Sequence, residues 1–128
     1  MWLFLPFGFF SVVAHRGSDR DVLVRARVEG DLERLSARVR DLGFYPPKIE
    51  STPNADYPFR VTLDRPMFAA LLAMFVESEL DYDNFKNVIH EDQGAERALI
   101  YHRVWDLLRY AFSPKIRPKH GAHAKGRP

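Results

Sequence analysis

Three arginines in strand-like sequence carry the clearest chemistry in this chain. Arg25 and Arg27 alternate with Val24, Ala26 and Val28, and Arg60 stands between Phe59 and Val61. Side chains two apart share one face of an extended chain. Both segments therefore turn apolar residues toward a core and arginines away from it. Guanidinium forks on an open sheet suit phosphate oxygens. Trp2, Phe4, Phe7, Phe9 and Phe10 add aromatic surface, on which nucleic-acid bases stack. No RNP-type aromatic motif accompanies them. The plainer alternative is a solvated face on which Arg25 and Arg27 pair with Glu29, Asp64 or Glu50.

A second group lies in the segment DYDNFKN, Asp81 to Asn87. Tyr82, Lys86 and Asn87 offer an aromatic ring, a cation and a carboxamide for a ligand. Asp81 and Asp83 are the weak candidates for a divalent cation. An EF-hand is excluded, because Lys86 stands where the loop needs glycine and no glutamate closes it. The competing reading is a turn that ties its own backbone with Asp and Asn side chains.

Two further groups carry less. His102 and Asp106 are four apart in YHRVWD and share a helix face. That is half of a general-base device, yet no nucleophile is placed beside it, so a surface ion pair is expected. In PNADYPFR, Asp56 and Tyr57 lead into the segment that holds Arg60. Nucleotide-binding glycine loops, metalloprotease HExxH and the GxSxG elbow are all absent. No pattern asks for a cofactor.

The elements that must position these groups can be read from periodicity. Met1 to Ala14 is a hairpin turned at Pro6-Phe7-Gly8 rather than a targeting segment or a membrane span, since Pro6 and Gly8 interrupt the apolar run. Val22 to Glu29 alternates as a strand. Asp31 is the expected N-cap of a helix with the buried stripe Leu32, Leu35, Val39 and Leu42, and Gly43 ends it. A short strand is expected near Lys48 to Ser51 and another over Phe59 to Asp64. Pro66 opens a helix whose core face is Phe68, Leu71, Leu72 and Phe75. Leu80 to Asp92 reads as a polar connection. Gly94 to Phe112 reads as a last helix packed on the sheet through a wide apolar surface, with Arg97 on its outer side.

The chain has 128 residues, 46% of them hydrophobic, which is enough for one domain with a real core. It has no cysteine, so disulfides and thiol chemistry are excluded and a cytoplasmic setting is expected. The net charge of +2 is uneven. Lys115, Arg117, Lys119, Lys125 and Arg127 lie in the last residues, leaving 14 cations against 17 acids before them. Basicity therefore says nothing about the body binding nucleic acid. It marks residues 113–128 as a disordered tail with a salt-sensitive attraction to phosphate polymers or a solubilising role.

Taken together, the blocks MWLF…GFFSVVAHR, DVLVRARVEGDLERL, ADYPFRV, LDYDNFKN and YHRVWDLL resemble an uncharacterised family of short bacterial proteins. The resemblance implies a natural stand-alone domain and lends no activity or catalytic residue.

The expected fold is an α+β domain over residues 1–112. It holds an antiparallel sheet of four to five strands with three helices on one face, arranged as a permuted ferredoxin-like sandwich. The expected function is a small, non-catalytic binding or regulatory module for nucleic acid or a phosphorylated small ligand. A metal-dependent hydrolase or nuclease, with His90 or His102 moving protons, and a homodimer formed through the aromatic hairpin are the alternatives. No membrane partner is expected.

Overall fold

Pro6 and Phe7 turn the chain between β1 (Trp2–Leu5) and β2 (Gly8–Ala14), with Leu5 opposite Gly8. The computed structural model describes residues 1–113 of the chain. The expectations for the basic tail beyond Ser113 fall outside the described residues. The other elements are β3 (Asp21–Ala26), α1 (Glu29–Asp41), β4 (Glu50–Ser51), β5 (Phe59–Asp64), α2 (Arg65–Ser78) and α3 (Phe85–Phe112).

The strands form one sheet in the order β1-β2-β3-β5-β4, with every pairing antiparallel. The architecture is α+β, with five strands and three helices. α1 links β3 to β4, and β5 returns to lie between them. Alternation then sorts the strand residues. Phe10, Val12, Val22, Val24, Val61 and Leu63 turn inward and are buried. They meet Leu32, Leu35 and Val39 of α1 and Phe68, Leu71 and Phe75 of α2 in one core.

Both inner helices end as their sequences dictate. Asp64 caps α2 by accepting from the Met67 N–H at 3.2 Å, and Pro66 occupies its first turn. Gly43 takes φ of 86° just past α1, the left-handed turn that lets Phe44 N–H reach the Val39 carbonyl.

Four expectations change. β3 stops at Ala26, and Val28 is the N-cap of α1 without a capping side chain. Asp31 is therefore not the cap. It sits in the first turn, buried, with its carboxylate committed elsewhere. The Leu80 to Asp92 stretch is not all connection, because helix begins at Phe85 behind the Asn84 cap. Gly94 interrupts α3 rather than starting it, with φ of 86° and ψ of 172°. The chain folds back there. Phe85 stacks on Tyr101 with ring centroids 5.7 Å apart, and the Lys86 ammonium lies 5.8 Å from the Trp105 ring. A straight helix, rising about 1.5 Å per residue, could not bring these pairs together.

The third helix also takes a different place from the first two. α1 and α2 cover the inner face. α3 is held at the hairpin end of the sheet, where Gln93 donates to the Pro6 carbonyl and Tyr101 to the Leu5 carbonyl. Its second half turns toward Phe4, whose ring meets Tyr101 edge-on at 5.4 Å. Phe4 pairs with Phe9 on the outer face of the sheet. The wide apolar surface expected to pack on the sheet is thus largely uncovered: Trp105, Leu107, Leu108 and Phe112 are all exposed.

Candidate functional site

The register of the sheet assembles the arginines. Trp2 is opposite Ser11, Ser11 opposite Arg25, Arg25 opposite Arg60, and Arg60 opposite Glu50. One row of side chains therefore crosses all five strands on the outer face. Like charges directly opposite each other destabilise a sheet, so the Arg25–Arg60 pair needs a reason.

Neighbouring groups hold these arginines without neutralising them. Arg25 donates to the Ser11 hydroxyl at 2.8 Å and stands 4.8 Å from the Tyr57 ring. Arg60 makes a long bond of 3.4 Å to the Tyr57 carbonyl. Arg27 lies 4.8 Å from the same ring and pairs with Asp56 at 3.1 Å. Among the described residues, Arg25 and Arg60 enter no ion pair, although Glu50 is in register with Arg60. Their Nε atoms are buried and have no hydrogen-bond partner. The pairings of Arg25 and Arg27 with Glu29, Asp64 or Glu50 do not form. A half-buried guanidinium pair with spare donors can accept a phosphate or carboxylate.

Tyr82, Lys86 and Asn87 are brought together elsewhere, at the open end of the α3 turn. Tyr82 packs on the core and on Phe85, 6.0 Å away, and burial raises its hydroxyl pKa. Asn84 accepts from the Lys86 N–H at 3.1 Å, which is local capping. The structure shows no contact between this group and the arginine row, so the six ligand candidates form two groups. Asp81 and Asp83 are both exposed. Among the described residues no three His, Asp or Glu side chains gather as a metal would require. His102 and Asp106 form the surface pair at 3.4 Å, with the imidazole stacked on Trp105. His90 is exposed.

Sequence reasoning missed the groups that anchor this region. Asp31 is 1% exposed. It accepts from the Phe9 N–H at 3.1 Å, from Arg34, and from Arg97 at 2.9 and 3.0 Å. Arg97 is thus drawn inward rather than facing solvent. Burial opposes its charge, but the bonds and attraction of Asp31 prevail and raise its pKa. The available signal was the position of Asp31 on the buried face, four residues before Leu35. Gly8 is part of the same joint. A Cβ there would stand 2.6 Å from the Phe10 ring and 2.9 Å from the Asp31 side chain.

Fold and site together define a class: an α+β protein with an antiparallel sheet whose outer face carries unneutralised arginines beside an aromatic hairpin. No family model, curated protein or solved structure matches the chain. Among the described residues, no helix is long and apolar enough to cross a membrane.

Proposed function

We propose that the protein is a non-catalytic binding module for a nucleotide-type ligand, with phosphate on Arg25 and Arg60. The observation that carries this reading is their cross-strand apposition without a carboxylate partner. An anion between them would relieve the repulsion and use the spare donors. Trp2 lies in the same row and is 68% exposed, which suits it to stack a base. The ligand is a free nucleotide or a nucleotide of a single strand. The split arrangement of β3, α1, β4 and β5 supports reading the scaffold as a permuted ferredoxin-like sandwich. The absence of cysteine agrees with a cytoplasmic setting.

The test is a titration of nucleotides and of single-stranded RNA and DNA at two salt concentrations. Binding should weaken with salt. Replacing Arg25 and Arg60 together by alanine should reduce it about 100-fold or more, from two lost charge-assisted contacts. Absence of binding to every one of these ligands at low salt overturns the proposal. Homodimer formation through the hairpin is a second reading, favoured by the exposure of Trp2, and light scattering tests it.

A further inference from the structure

Between the outer face of the sheet and the second half of α3 runs a cleft of about 490 Å³. Trp2, Phe4 and Phe9 line one wall, and Ile100, Val104 and Leu107 line the other. This volume is within the usual range for small-molecule sites, about 300 to 1,000 Å³. The charged lining groups, Arg27, Asp31 and Arg97, all belong to one place. Arg27 and Asp31 flank the β3–α1 junction, and Asp31 holds Arg97 there.

The charge at that junction is not balanced. Asp31 faces two guanidiniums, Arg34 and Arg97, and Arg27 faces Asp56. Three cations against two carboxylates leave one positive charge at the polar end of an apolar trough. The lining is poor in groups that could read a base edge. Arg97 and Asp31 satisfy each other, and the Tyr101 hydroxyl is spent on the Leu5 carbonyl. An aliphatic chain needs no such partners, and an anionic head would complete the junction.

We infer that this cleft binds an acyl chain with an anionic head group, the head at Arg27 and the chain along Ile100, Val104 and Leu107. The site goes beyond the nucleotide reading. It borders the arginine row at Trp2 and Tyr57 but does not include Arg25 or Arg60.

The protein has two tryptophans, and only Trp2 lines the cleft. In the full-length Trp105→Phe variant, Trp2 emission therefore reports on it alone. Sodium octanoate, decanoate and dodecanoate, each titrated below its micelle concentration, should shift that emission saturably. Affinity should rise about fifteenfold with each two-carbon step. Leu107 is exposed, so Leu107→Asp should fold normally and lose binding. Arg27→Ala should weaken dodecanoate about tenfold while leaving dodecanol unchanged. Paired Arg25→Ala and Arg60→Ala substitutions should leave dodecanoate binding intact, which separates this site from the nucleotide site. The inference is overturned by no saturable shift with any chain, by binding that survives Leu107→Asp, or by a dimer mass in light scattering with no alkanoate bound.

Discussion

Asp31, in the first turn of α1, holds Arg97 of α3 through two hydrogen bonds of 2.9 and 3.0 Å across 66 positions of sequence. The same carboxylate takes the Phe9 N–H of β2. One buried side chain therefore joins the sheet, the first helix and the last.

Replacing Asp31 by alanine should destabilise the protein by about 3 to 5 kcal/mol, because Arg97 would be left as a nearly buried charge without its partner. Urea unfolding measures this. A loss below about 1 kcal/mol would mean that water replaces the carboxylate freely.

Gly94 carries the backbone of the α3 turn at φ of 86° and ψ of 172°, a region open essentially to glycine. Gly94→Ala should cost about 1 to 3 kcal/mol. It should also part Lys86 from Trp105 and Phe85 from Tyr101. Emission of Trp105 in a Trp2→Phe background checks this. Unchanged emission together with unchanged stability would refute it.

Tyr101 is 6% exposed, and burial pushes its hydroxyl pKa from 10.0 up to about 12. The folded state thus keeps the proton that the unfolded chain releases near 10. Stability should hold below that pH and fall as pH rises toward 12, by about 2 to 3 kcal/mol in all. Tyr82 acts in the same direction. In Tyr101→Phe the alkaline fall should shrink, as pH-dependent unfolding curves would show. An equal fall in the variant would place its cause elsewhere.

Arg60→Thr removes one of two apposed guanidiniums and keeps a good strand former. It should raise stability by about 0.2 to 1 kcal/mol while weakening phosphate-ligand affinity. Thermal unfolding and ligand titration of the same variant decide it. A clear loss of stability would show that Arg60 serves the fold rather than a ligand.

Local pattern determined much of this protein. Alternation in Val22 to Ala26 and Phe59 to Asp64, the stripe Leu32, Leu35 and Val39, and the stops at Gly43 and Pro66 are short-range features. They specify strands, helices and their buried faces from period alone. The outward placement of Arg25 and Arg60 follows from the same alternation.

Tertiary structure decided what those faces meet. Register set Arg25 against Arg60, and pairing of strands distant in sequence is invisible to periodicity. Asp31 could be read locally only as a cap, since acids near helix starts usually satisfy their own turn. Its partners Phe9 and Arg97 arrive from 22 and 66 residues away. The fold-back at Gly94 depends on Phe85 and Lys86 finding Tyr101 and Trp105, contacts that no single helical period encodes. The arginines were legible one by one, whereas their apposition, the unmade pairing with Glu50 and the apolar cleft beside them exist only once the strands are in place.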